Sequence, residues 1–313
     1  MDKIFNISVS PHIRKDISTK KIMRDVLIAL LPACLFGIYN FGLAALRVIV
    51  ASVTSCVVSE ILFQYVTGRK VTVNDLSAAV TGVILALNLP STVPLWIPVL
   101  GGAFAIILVK QLYGGLGQNF MNPALAARCF LLISFASIMT NYPAVDGVSG
   151  ATPLAVLKAG GEVDLLKLFF GTHSGVIGET SVLAILIGAV YMLLRKVITL
   201  RIPVVMVVSA VAFTGLFYGL STGEMPTVQY LLAQTMGGGL LLGAVFMATD
   251  YVTCPVTNSG KMIFALVVGL FVALIRVFSG SAEGVSYAII IGNMLSPLIE
   301  KITLPKAFGK EGK

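Results

Sequence analysis

Charge is scarce in this sequence: Asp, Glu, Lys and Arg together make up 12% of 313 residues. A soluble domain carries about 25%, so this chain cannot cover a water-facing surface. Cysteine is limited to four residues and histidine to two, with a single tryptophan. Cys34, Cys56, Cys129 and Cys254 show no CxxC spacing, which excludes a disulfide framework, a zinc knuckle and an iron-sulfur binding run. They read as small packing residues. His12 and His173 fall in different compartments under the topology derived below, so they cannot share a metal, and no metal site is expected. Gly114, Gly115 and Gly117 follow no strand, so they mark a helix break and not a phosphate loop.

Apolar residues are abundant instead, at 57% with a mean hydropathy of +0.95. That composition belongs to an all-α integral membrane protein. A net charge of +8 does not imply nucleic acid, because the cations are placed by topology. Lys3, Arg14, Lys15, Lys20, Lys21 and Arg24 precede the first apolar run, and Lys301, Lys306, Lys310 and Lys313 follow the last. The first run is long enough to span, and no small-residue cleavage site follows it, so it reads as a helix and not a signal peptide.

Runs of spanning length, broken by Pro, Gly, Asn or charge, predict about ten transmembrane helices. They cover roughly 23–41, 45–66, 76–90, 95–113, 122–140, 179–196, 202–220, 233–250, 261–278 and 284–300. With both termini inside, Arg69, Lys70, Lys110, Arg195, Lys196, Arg201 and Lys261 also fall at the cytoplasmic side, as the positive-inside rule requires. Residues 1–22 and 301–313 are then cytoplasmic ends. Residues 141–178 form an outer-face loop between two five-helix units, 23–140 and 179–300.

The two units share an echo. Lys110, then Gly114, then Asn119-x-x-Asn122-Pro123 in the first parallels Arg276, then Gly280, then Asn293-x-x-Ser296-Pro297 in the second. An odd number of helices per unit makes the second unit inverted, an arrangement that commonly frames a midplane site. Asn119, Asn122, Asn293 and Ser296 are its candidates. Charges inside spans are costly; Glu60, Arg128 and Asp250 fall within or at the ends of spans. Arg47 and Arg276, nearer the outer edge, are expected to snorkel. Arg128, six residues beyond Asn122, is a candidate for pairing with a helix end or a cofactor.

The outer loop holds Asp146-Gly-Val-Ser-Gly-Ala-Thr152, followed by Pro153 and Leu154 to Lys158. Read locally, Thr152 is a helix N-cap with proline at the first helical position. Read as a motif, DGVSGAT closely resembles the acceptor for covalent flavin attachment. Residues Ser10 to Gly42, GQNFMNPALAAR from Gly117 to Arg128, and FMATDYVTCPVT from Phe246 to Thr257 extend the similarity to the D subunits of the Rnf complex. The related B subunits of the sodium-translocating NADH:quinone reductase share the motif but have a longer N-terminal extension. This resemblance implies FMN joined through a phosphoester to Thr152 by a flavin transferase, with Asp146, Gly147, Ser149, Gly150 and Ala151 as recognition residues. It implies a second, noncovalent flavin, riboflavin, for which Asn119, Asn122, Arg128 and Asp250 are the candidate contacts. It further implies partner subunits of the A, B, C, E and G types and a place in a bacterial or archaeal plasma membrane. The expected activity is electron transfer from reduced ferredoxin to NAD coupled to Na+ or H+ translocation. No residue of this chain is expected to be catalytic, because it lacks a nucleotide fingerprint. An inverted-repeat solute transporter or channel is the rival class, and it has no use for the flavin acceptor motif.

Overall fold

The computed structural model describes residues 18–142, 151–279 and 284–305. All regular secondary structure among them is helical. Among the described residues, four helices are long and apolar enough to cross a membrane, or five if one bent pair is counted as a span. Helix α1 (Thr19–Val66) is 48 residues long and is broken at Gly42, whose φ of 62° and ψ of −149° leave the helical region. At 1.5 Å per residue it runs to about 72 Å, more than twice the hydrocarbon thickness. Gly42 therefore divides it into the two arms that the sequence predicts as separate spans.

The next elements are short. Helix α2 (Ser77–Leu87) stops at Asn88, and after a buried turn the chain resumes as α3 (Trp96–Gln111), whose second half is π-helical. Positive φ angles at Gly114, Gly115 and Gly117 then end the run, as expected for a break. Helix α4 (Pro123–Ser134) is followed by the single turn α5 (Ala136–Met139). Between the halves lie α6 (Pro153–Lys158) and α7 (Leu165–Phe170). The second half contains α8 (Val182–Leu194), α9 (Arg201–Thr222), α10 (Val228–Met236), α11 (Leu240–Met247), α12 (Asn258–Phe278) and α13 (Val285–Thr303).

Glycine lets these helices approach closely, as membrane packing demands where lipid is as apolar as leucine. A Cβ on Gly82 of α2 would stand 2.7 Å from the Val53 Cα, so α2 lies directly on the second arm of α1. Gly102 of α3 meets Ser55 and Cys56 of the same arm, while Gly188 of α8 meets Ala29 of the first. All four cysteines are buried.

Several elements are shorter or more broken than the sequence expectation of ten full spans: α2, α4 and α8 are 11, 12 and 13 residues long. The run 233–250 reads as a single span, but α10 and α11 meet at a 55° bend through Gly237, Gly238 and Gly239. Arg276 of α12 holds that bend. Its Nη2 donates to Gly237 O at 2.9 Å and Gly238 O at 3.2 Å, and its Nη1 donates to Gln234 Oε1 at 3.1 Å. The expectation that Arg276 snorkels is therefore wrong. It is buried, because unpaired carbonyls at a helix break bind a guanidinium more strongly than solvent at a distance does. Arg47 is exposed and donates to Leu43 O in its own helix.

Candidate functional site

Two sites emerge, one in the segment between the halves and one among the helices. Thr152 belongs to the first. Its backbone is extended (φ −61°, ψ 151°), its hydroxyl accepts from Ala155 N at 3.4 Å, and Pro153 opens α6. The local cap reading is thus present. It does not compete with esterification, since the oxygen that accepts the cap bond remains when its hydrogen is replaced. Leu154, the second residue after it, is buried against Gly237 and Gly238. The Arg276 bend therefore serves as the platform on which α6 and Thr152 are seated. Ser174 Oγ donates to Ala151 O at 3.0 Å and fixes the chain just ahead of Thr152. Asp146, Gly147, Ser149 and Gly150 lie outside the described residues.

An open cleft lies beside Thr152. Ala151, Pro153, Asp164, Lys167, His173 and Ser174 are among its walls. Lys167 supplies a cation to one wall. Burial holds the His173 imidazole below its ordinary value of 6.5, against the opposing effect of the Ser174 and Thr180 carbonyls. Its Nδ1 lies 3.0 Å from Ser174 O. Because the folded ring takes up a proton less readily than the unfolded one, stability is full above the ordinary imidazole range and falls as pH drops through it. We expect hydrogen exchange over residues 171–181, corrected for its intrinsic rate, to quicken as pH falls from the neutral side of that range to the acid side, and His173→Gln to remove the difference. Equal protection on both sides would contradict this.

The segment after His173 is buried from Ser174 to Ser181. Ile177 N donates to Leu89 O at 3.1 Å and Gly178 N to Leu87 O at 2.8 Å. These bonds satisfy the carbonyl end of α2, which otherwise lacks helical partners. Gly178 is required there: a Cβ would stand 2.5 Å from that of Leu87.

The second site is a partly open cavity between the halves. Asn119, Asn122 and Asp250, three of the four sequence candidates for a second-flavin site, line it together. Asn122 is the N-cap of α4, accepting from Ala124 N at 3.1 Å and donating to Met247 O, at the end of α11, at 3.4 Å. Asn119 donates to Met121 O at 3.1 Å. Asp250 accepts from Val252 N and Thr253 Oγ1, both at 3.3 Å. Val26, Val80, Ile84, Met192 and Phe246 make the apolar walls. Polar groups converging in an apolar cavity are the usual form of a cofactor site.

Arg128, the fourth candidate, is not in the cavity. Its Nη1 donates to Asn88 Oδ1 and to Ser286 Oγ, both at 2.8 Å, so it ties the C-cap of α2 to the first turn of α13. Asn293 and Ser296 are elsewhere too. Both fall inside α13, where Ser296 donates to Thr253 O at 2.8 Å and neither amide atom of Asn293 has a partner among the described residues. Sequence reasoning also missed a wall of the cavity: Lys110 and Ser77 line it. The one available signal was Glu60, a carboxylate within a predicted span, which demands a buried partner. That partner is Lys110, at 2.7 Å.

The NQR2, RnfD, RnfE family model matches residues 6–309. The chain belongs to that family. Among its relatives, the D subunit of the Na+-translocating ferredoxin:NAD+ oxidoreductase complex of Acetobacterium woodii is 46% identical over 311 residues, 97% of this chain and 95% of the relative. The D subunit of the proton-translocating ferredoxin:NAD+ oxidoreductase complex of Clostridium ljungdahlii is 41% identical, over 98% of this chain and 96% of its own length. The D subunit of an ion-translocating oxidoreductase complex of Stutzerimonas stutzeri is 36% identical over 95% and 94%. Family membership and the long apolar helices together make this a multi-pass membrane protein.

Proposed function

We propose that this chain is the electron-carrying D-type membrane subunit of a complex that moves electrons from reduced ferredoxin to NAD and couples the transfer to Na+ or H+ translocation. The observation that carries the reading is family likeness along nearly the whole chain to D subunits of such complexes, joined to the DGVSGAT acceptor motif at Asp146 to Thr152. FMN on Thr152 and riboflavin in the cavity of Asn119, Asn122 and Asp250 are its two carriers. FMN supplies one- and two-electron chemistry when bound; the chain's own residues position it. Thr152 provides the ester oxygen, Ser174 holds Ala151, and Leu154 on the Arg276 platform fixes α6. Partners are subunits of the A, B, C, E and G types, with a flavin transferase for maturation.

The topology in this proposal is ten spans, both termini inside, in two inverted five-helix repeats, with Thr152 on the outer face of a bacterial or archaeal plasma membrane. Matched contacts support it. Lys110, at the end of α3, reaches Ser77 at the start of α2; Arg276, near the end of α12, reaches Gly237 and Gly238 just before α11. The end of α2 is tied to the start of α13 through Arg128, and the end of α11 to the start of α4 through Asn122. These correspondences pair α2 with α11, α3 with α12 and α4 with α13. They keep the Lys110 and Arg276 echo but replace the second part of the pattern: Asn122, an N-cap, matches Gly284, the N-cap of α13, and not Ser296.

A tag on this chain should capture the other subunit types from solubilised membranes, and the isolated complex should reduce NAD with reduced ferredoxin. Recovery of a complex that oxidises NADH with quinone and ignores ferredoxin would move the chain to the B-type branch of its family.

A further inference from the structure

Lys110 forms part of the cavity wall, and the way it is held assigns it a role there. Its side chain is 3% exposed, and Nζ donates to Glu60 Oε1 at 2.7 Å and to Ser77 Oγ at 2.6 Å. Gln111 Nε2 also donates to Glu60 Oε1, at 2.6 Å, and Asp75 Oδ1 takes the Ser77 hydroxyl at 2.6 Å. Lys110 and Ser77 line the cavity, whereas Glu60 and Gln111 do not. Of the ion pair, Lys110 therefore meets the cavity and Glu60 does not. An ammonium has three donors; two are engaged, and no described residue takes the third. A buried ion pair is a poor way to hold helices together, because apolar residues of equal volume do so at less desolvation cost. A fixed cation at the edge of a cofactor cavity does something that an apolar residue cannot: it favours whichever state of the cofactor carries more negative charge.

We infer that Lys110 is a positioning residue that raises the reduction potential of a flavin ring held in this cavity, by giving its remaining hydrogen bond to the ring edge that becomes anionic on reduction. The inference rests on the cavity being the noncovalent flavin site. Glu60 pairs with the ammonium from behind, and Ser77 fixes its direction. No proton need leave Lys110, since the ring gains charge while the lysine keeps its own.

The test uses the full chain with Thr152→Ala, which removes the covalent flavin, loaded with riboflavin in detergent. Spectroelectrochemical titration reads the midpoint potential, and equilibrium binding reads the affinity for oxidised riboflavin. Lys110→Arg, always charged, should hold the ratio of reduced to oxidised affinity within about threefold. Two neutral replacements of the whole pair, Glu60→Gln with Lys110→Gln and Glu60→Gln with Lys110→Met, leave no orphaned charge, and either serves if the other fails to fold. Each should lose about tenfold in that ratio, about 30 mV lower for a two-electron couple, with oxidised affinity changed less. Riboflavin bound normally with an unshifted potential in the neutral pair overturns the role of Lys110 alone. Riboflavin that does not bind the Lys110 chain overturns the cavity assignment, and the role of Lys110 with it.

Discussion

Thr152→Ala is expected to abolish covalent flavin on this chain while leaving the chain in the membrane. The hydroxyl is the only group at this position that can form the phosphoester, so the loss should be complete and not graded. A threonine hydroxyl is a weak nucleophile at neutral pH, and its activation falls to the transferase. The change also removes the Ala155 cap bond, at a cost of about 1 kcal/mol to a short helix. That helix remains anchored through Leu154, so insertion and overall stability should survive. Thr152→Ser separates the two roles: it restores the cap and offers a hydroxyl, so it should keep the fold and recover part of the modification. In-gel flavin fluorescence of the denatured chain reads the outcome, and fluorescence undiminished in the alanine variant would refute Thr152 as the acceptor.

The second large effect is expected at Glu60 and Lys110. Both are buried, at 0% and 2% exposure, so removing one partner leaves a charge without its counter-ion in a low-dielectric interior. Lys110→Met or Glu60→Leu alone should cost about 3–5 kcal/mol, enough to lower the yield of folded chain sharply. Glu60→Gln combined with Lys110→Gln should cost much less, because neither charge remains and an amide pair can still hydrogen-bond. A thermal-unfolding cycle over the two single variants and the double measures the coupling. Additive losses would show that the two charges do not depend on each other, against the 2.7 Å contact.

Much of the helical framework was readable from punctuation. Gly42 divides α1, Asn88 to Pro94 separates α2 from α3, and the glycines from Gly114 to Gly117 end α3, because each residue type there has a backbone consequence that needs no tertiary context. The cap at Thr152 was readable for the same reason. Long-range pairing was not. Lys110 meets residues 50 and 33 positions away, and hydropathy within a span carries no record of which face meets which neighbour. Arg276 misled for a related reason: its position near a helix end suggested snorkelling, while three glycines about 40 residues earlier had created carbonyls that needed a donor. The asparagine candidates divided along the same line. Asn119 and Asn122 sit where the chain breaks before α4 and reach the cavity together with Asp250, whereas Asn293 and Ser296, matched to them by pattern alone, lie in mid-helix. Arg128, a candidate for pairing with a helix end or a cofactor, is tied to Asn88 and Ser286 between helix ends and does not line the cavity.

The central claim is a flavin carrier built on Thr152, and peptide mass spectrometry tests it most directly. The chain is produced together with a flavin transferase, denatured, digested and searched for the peptide containing Thr152. An increment equal to FMN, located on Thr152 by fragmentation, is the result this account predicts. An unmodified peptide, from cells in which the same transferase labels a control acceptor, would contradict it and leave the inverted-repeat transporter as the better reading of the fold.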